Sequence, residues 1–394
     1  MKLSISQAAL EAALSHVQGV VEKKTTMPIL SNVLWKTTAN DRVRWLATDL
    51  DLFLQGDCEV LVEEGGEACF KARDVLEVVK QLDGDRPITL ETIVSKGPRD
   101  DEGEDSASLR LTQGRSVYHW PLADAPEFPQ PPNWEAKFNT VRAVALKRLI
   151  KLTLFAAAVD DPRTYLNGVF IETVAPTKKE TAGLLRFVAT DGHRLALAEE
   201  SFEDAPFKLE KGVIVPRKAL AEVAKVIEGI GDPNATVEVA FGNGLGAVRF
   251  NGLQLTFRLI EGKFPDYKQV FPARTASKLA VDRIALMRAL RRLGAMTSAD
   301  YTRTVRFLMS TTELVLESKD PEKGRGREPL DSTFEGESPL RVGYHYKFVL
   351  DVLSLLDEPT IQIGFNDPLS PTVLTVAGDD KFKCIVMPLD LRED

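Results

Sequence analysis

Apolar and polar residues follow one pattern along this chain, three times over. Residues 2–5 alternate as a short strand, and 7–21 then place Leu10, Ala13, Leu14 and Val17 three and four apart, the spacing of one helix face. The order returns at 137–140 (KFNT) and 143–159, where Leu146, Leu149, Ile150 and Thr153 share a face. It returns again at 278–281 (KLAV) and 283–296, through Leu286, Met287, Leu290 and Leu293. The middle of each unit agrees as well: 68–83, 213–228 and 341–356 read as a strand entering an amphipathic helix. Alternating strands follow at 88–91, 236–240 and 360–364. Each unit closes with strand, short glycine turn, strand: SLRLTQGRSVYHWPL, GAVRFNGLQLTFRLI and TVLTVAGDDKFKCIVMPL. A shorter echo, RWLATDLDLFL at 44–54 against RFVATDGHRLAL at 186–197, repeats between the first two units.

A repeat of this size implies three α+β domains, spanning 1–130, 131–275 and 276–394. The proline-rich 126–132 (PEFPQPP) and 271–277 (FPARTAS) serve as joints. Two charged segments poor in apolar residues, 99–108 and 318–329, read as solvated loops.

Length agrees, since 394 residues exceed one ordinary core. The apolar fraction of 44% and charged fraction of 27% are those of a soluble globular protein. No window approaches the roughly 20 apolar residues of a membrane span, and MKLSISQAAL lacks the apolar core of a signal peptide. Cys58, Cys69 and Cys384 are odd in number and far apart, which suits a reducing cytoplasm and neither a disulfide framework nor a zinc site.

A net charge of −8 argues against a nucleic-acid partner in bulk, so the placement of cations matters. They gather on helices, opposite the apolar stripes. Lys147, Arg148 and Lys151 share one face, as do Arg288, Arg291 and Arg292, while Arg73 with Lys80 and Lys218 with Lys225 stand seven apart. Equivalent helices in three units repeating this feature imply a positive surface for a polyanion, touched without sequence readout. A domain of about 130 residues fills a sphere about 36 Å across; three in a ring leave a hole of about 6 Å and six one of about 36 Å, against roughly 20 Å for a duplex. Encircling DNA therefore takes two chains, head to tail.

Catalytic readings are weaker. His193 with Asp191 would make a base and its orienting carboxylate, and Asp49 with Asp51 a metal pair, but the first unit has Leu50 and Asp51 where the second has Gly192 and His193. No nucleophile elbow, phosphate loop or metal-ligand cluster occurs, and four histidines make a metal site improbable. No cofactor is expected. The alternative reading of ThrAspGly is a tight turn with Gly192 at positive φ. Tyr165, Leu166, Leu195, Pro265, Val270, Phe348, Leu369, Pro371 and 385–391 are largely apolar and fall at element ends, as in a binding groove.

The stretches TMPILSNVL (26–34), ATDLDL (47–52), YLNGVFIET (165–173), ATDGHRLA (189–196), VPRKAL (215–220), GKFPDYKQVFP (262–272), FVLDVL (348–353), NDPLSP (366–371) and VMPLDL (386–391) resemble the bacterial DNA polymerase III β sliding clamps over nearly the whole chain. The resemblance implies a homodimeric ring of six domains, with inner helices around double-stranded DNA and sheets outside. It implies a cleft for short peptides of the polymerase III α subunit, the clamp loader, other polymerases and repair proteins. By position that cleft comprises Leu166, Thr190, Gly192, His193, Arg194, Leu195, Pro265, Val270, Phe348, Leu369, Pro371, Ile385, Val386, Met387, Pro388, Leu389 and Leu391. Lys24, Arg163 and Tyr165 match positions near DNA, joining Arg73, Lys80, Lys147, Arg148, Lys151, Lys218, Lys225, Arg288 and Arg291; Tyr118 and Met296 match the two sides of the ring interface. The chain departs from the family in Thr164 for one of two adjacent tyrosines, Phe348 for a frequent tyrosine, Asp390 for a common basic residue, and the extra residues 392–394. A monomeric three-domain binding scaffold, not encircling DNA, is the alternative.

Overall fold

The computed structural model describes residues 1–394 apart from 22–24, 96–105, 176–182, 203–208, 210, 299–302 and 392–394. Lys24, most of the charged segment 99–108 and the C-terminal extension lie outside the described residues. Among the described residues six α-helices form where the 3.6-residue pattern places them: α1 Gln7–His16, α2 Ala72–Val79, α3 Ala143–Thr153, α4 Arg217–Glu228, α5 Arg283–Ala295 and α6 Tyr346–Leu355. Polar side chains start two of them. The Ser6 hydroxyl accepts from the Ala9 N–H at 3.2 Å, and the Asp282 carboxylate from that of Ala285 at 2.7 Å. The periodic stretches of the first two units run past their helices, ending in 3-10 turns at Val17–Gly19 and Leu154–Ala156.

Contacts group the chain into two compact units, one of 1–143 with 222–259, the other of 144–221 with 260–394. The middle third thus divides its strands. In the first unit one sheet orders 61–64, 2–5, 88–95, 106–113 and 116–121, and a second orders 139–142, 236–242, 245–250, 253–258, 52–59, 42–48, 33–38 and 67–70. Strand Leu253–Arg258 joins this second sheet to Leu52–Glu59, antiparallel, with Leu255 opposite Leu54. Beneath it α1 buries Leu10, Ala13 and Leu14, and α2 buries Val75, Leu76 and Val79.

The second unit holds one sheet, ordered 213–216, 168–174, 183–190, 194–202, 379–386, 372–376, 360–365, 277–282, 324–335, 313–320, 304–309 and 340–345. Again a closing strand makes the join: Asp379–Val386 pairs antiparallel with Arg194–Phe202, Leu195 opposite Ile385. Leu286, Leu290 and Leu293 of α5 and Val349, Val352 and Leu353 of α6 are buried here. Each such side chain contributes about 1.5–3 kcal/mol by leaving water.

The ATD echo is one backbone structure built twice. The carboxylate of Asp49 accepts from the N–H groups of Asp51 and Leu52; that of Asp191 accepts from those of His193 and Arg194. Thr48 and Thr190 hydroxyls accept from Leu50 and Gly192. The residue between is left-handed in both, φ +89° at Gly192 and +79° at Leu50, so hydrogen bonding imposes on leucine a conformation that glycine takes freely.

The segment 318–329 corrects the sequence reading. It is not a loop but the heart of a hairpin, Glu313–Asp320 against Gly324–Glu335. Its charged residues alternate with inward ones, and the buried Asp320 carboxylate accepts from the N–H groups of Ser298, Glu322 and Lys323 to close the turn. Residues 106–108 likewise enter a strand, Ser106–Gln113.

Candidate functional site

Four of the expected groove residues, Leu195, Val270, Ile385 and Met387, pack together on one face of the second unit's sheet. Period-two alternation sends Val188, Leu195, Leu197 and Ile385 to the same side, where they form a buried cluster with Ile214 and with Phe264 and Tyr267 from the strap that precedes strand Ser277–Asp282. Tyr165, Phe170, Val270 and Met387 pack against it, partly open to solvent. Tyr165, matched above to a position near DNA, is thus part of this apolar packing. Leu166, 2% exposed, lies under the adjoining 3-10 turn Thr164–Leu166.

The tight turn at 190–194 makes the next part of the wall. The Met387 N–H donates to the His193 carbonyl at 2.8 Å, fastening the C-terminal segment to it. Arg194 is held by carboxylates from two elements, Asp191 at 3.0 Å and Asp351 of α6 at 2.7 Å, with only 11% of its side chain exposed. Its guanidinium carbon lies 5.1 Å from the centre of Phe155 and 4.9 Å from that of Phe348. The Phe348 ring also stacks with His193, centres 5.6 Å apart, and with His345 at 4.4 Å. Burial, with the cations Arg303, Lys347 and Arg194 nearby, pushes the His345 imidazole below its ordinary value. This arrangement disposes of the Asp191/His193 dyad. The carboxylate serves backbone N–H groups and Arg194, and among the described residues no hydrogen bond joins it to the His193 ring.

The C-terminal segment runs on along strand Leu340–His345. The Leu389 N–H donates to the Gly343 carbonyl at 2.8 Å, and a side chain on Gly343 would begin 2.6 Å from Leu391. Pro371 precedes Thr372, which pairs with Val386, so loop 366–371 stands next to this segment. Leu369 is 46% exposed there, on a turn whose Asp367 carboxylate accepts from the N–H groups of Leu369 and Ser370. Pro265 is exposed on the strap, and Thr190 donates its hydroxyl to the Arg194 carbonyl at 2.7 Å.

The cation faces are only partly as expected. Lys80, Lys147, Lys151, Lys218, Lys225, Arg288 and Arg291 are exposed and Arg73 is half-buried. Lys151 reaches Asp357 at 3.1 Å, a surface pair that polyphosphate can displace, and Lys225 reaches the buried Glu222 at 2.7 Å. Arg148 differs. It bonds the Glu199 carbonyl and the carboxylates of Glu200 and Asp379, which makes it a strut between α3 and the sheet with its charge already matched. Arg163 is clamped by Asp161, whose carboxyl it holds down to about 2.

Family models of the DNA polymerase III beta subunit match the chain end to end: the N-terminal domain over 1–128, the central domain over 140–266 and the C-terminal domain over 268–390. The chain belongs to that family. It is 34% identical to the beta sliding clamp of Caulobacter vibrioides over 390 residues, 99% of this chain and 100% of that one. A Caulobacter crescentus beta sliding clamp solved with PEG bound is 33% identical, TM-score 0.89, over 99% of both chains. The Pseudomonas aeruginosa sliding clamp solved with griselimycin is 29% identical, TM-score 0.85, over 99% of this chain and 100% of that one. The fold is accordingly three clamp domains of sheets and helices, and the function is that of a DNA sliding clamp, a processivity factor of replication. No helix among the described residues is long and apolar enough to cross a membrane.

Sequence reasoning missed three residues that hold Arg194 and Phe348 in place. Asp351 had a visible signal, a lone carboxylate in the apolar run FVLDVL of α6. Phe155 and His345 had none, because only the fold brings them to Arg194 and Phe348.

Proposed function

We propose that two copies of this chain close head to tail into a ring around duplex DNA, in the cytoplasm, and catalyse no reaction. One observation carries the reading. Twice within the chain, the last strand of one repeat pairs antiparallel with a strand of its neighbour, 253–258 with 52–59 and 379–386 with 194–202. Among the described residues, the first repeat's last strand, Ser116–Pro121, has a partner on one side only, and so has the stretch 324–331 of the third repeat. Two open edges of matching kind at opposite ends of the sequence ask for a second chain. Tyr118 lies on the first edge, stacked on Trp120, and Met296 lies beside Gly324 and Gly326 on the second.

In such a ring, Lys80, Lys147, Lys151, Lys218, Lys225, Arg288 and Arg291 line the passage and Arg73 supports them. Topology retains the DNA, so each phosphate contact stays weak and screened, which permits sliding. The groove around Leu195, Val270, Phe348, Ile385 and Met387 captures apolar anchors of short peptides from the polymerase III α subunit, the clamp loader and other polymerases and repair proteins. Tethering then raises the polymerase's effective concentration at the primer end. Light scattering at micromolar concentration tests the assembly: a species of twice the chain mass is expected, and a monomer favours the scaffold alternative.

A further inference from the structure

Strands 168–174, 183–190 and 194–202 carry Glu172, Arg186 and Glu199 directly opposite one another, a ladder of one cation between two carboxylates. Arg186 bonds Glu172 at 2.8 Å and Glu199 at 2.6 Å, and all three side chains are at most 20% exposed. Two anions against one cation leave a surplus negative charge at low exposure, which needs a further donor. The strap supplies it. The Tyr267 hydroxyl donates to Glu172 at 2.5 Å while accepting from Arg186 at 2.8 Å. Burial and the Glu172 carboxylate push the phenol up, which keeps it the donor to Glu172.

The strap has little else that is polar to fix it over this face. Phe264 stacks on Phe170 with centres 5.1 Å apart and Tyr267 packs against the same ring, contacts that tolerate sliding. Tyr267 also opens the single turn Tyr267–Val270, so its position sets that of Val270, three residues on, while Pro265 lies two residues before it and accepts its N–H. Both are groove residues.

We propose that Tyr267 and the Glu172–Arg186–Glu199 ladder are positioning residues for the peptide groove: the one phenol-to-ladder tether fixes the strap that presents Pro265 and Val270. The proposal rests on the groove reading above.

Tyr267→Phe in the full-length protein keeps the ring and removes the tether. With griselimycin as the probe in a calorimetric titration, a three- to tenfold loss of affinity is expected, with a melting curve close to wild type. Hydrogen exchange at strap amides 266–271 should rise at least fivefold while that of the strand amides 184–190 and 194–202 holds. A merely structural tyrosine would speed exchange in strap and sheet together, and that result overturns the proposal. So does unchanged affinity in Tyr267→Phe. If that variant does not fold, Glu199→Gln, which loosens the ladder from the far side, carries the same expectation. Failure of the wild type to bind the probe would instead count against the groove reading itself.

Discussion

Replacing Phe348 by leucine and by alanine separates what the ring's electrostatics contribute from what its bulk contributes. The ring lies 4.9 Å from the Arg194 guanidinium carbon, 4.4 Å from His345 and 5.6 Å from His193. Arg194 is 11% exposed, so the cation–π contribution falls toward the upper part of its usual range, about 1–2 kcal/mol. Stacking on His345 adds about 0.5–1.5 kcal/mol, and the exposed His193 adds less. Leucine keeps an apolar side chain but forfeits both, which bounds the loss of ligand affinity at about 1.5–3.5 kcal/mol, the lower figure being roughly tenfold. Alanine also removes the wall, and a loss of at least 2 kcal/mol, about thirtyfold, follows for a central apolar anchor site. Titration of griselimycin into each full-length variant measures this, with melting curves to establish that both fold. Alanine binding within twofold of wild type, with an unaltered melt, would refute the placement of Phe348 in the wall.

Three further outcomes follow from the same geometry. Leu50→Gly removes a left-handed strain of about 1–2 kcal/mol and restores about 0.5–1 kcal/mol of chain entropy to the unfolded state, so urea unfolding of the first unit should show a gain of about 0.5–1 kcal/mol. His16 and His345 both have folded values lowered by burial from 6.5; the unfolded chain therefore binds more protons, and stability is present above about 6.5 and falls as pH drops toward the folded values. Thermal melts between pH 7.5 and 5 should show that fall, and His345→Asn should flatten part of it. Arg288→Gln should reduce the salt dependence of DNA binding by about one unit of slope, whereas Arg148→Gln should lower stability more than the slope, because its charge is already matched by Glu200 and Asp379.

The fold was readable to the extent that local pattern encodes it. Helix faces such as Leu286, Leu290 and Leu293 and the strand–glycine–strand closures are short-range signals, and they reported three repeats correctly. Strand joins between repeats were not readable, since nothing in the alternation of 379–386 names Arg194–Phe202 as its neighbour. The hairpin at 313–335 was hidden by composition: its Lys, Arg and Glu residues imitate a solvated loop, and pairing and the Asp320 turn decide otherwise. Apolar residues of the expected groove, such as Leu195, Val270 and Ile385, were visible as apolar positions at element ends, but what packs and aims them was not. Asp351, Phe155 and the Arg186 ladder act through distances that only folding creates. The helix cations show the same limit: Arg148 and Lys147 look alike on a helical wheel, and nothing there shows that Arg148 meets the Glu200 and Asp379 carboxylates.

Topological retention on DNA is the central claim, and it is measured by gel filtration of the clamp after loading onto a nicked circular duplex, before and after the circle is cut once. The ring predicts co-elution with the circle at salt that abolishes ordinary phosphate contact, and release on linearisation. Equal retention on both forms, or none on either, would contradict it.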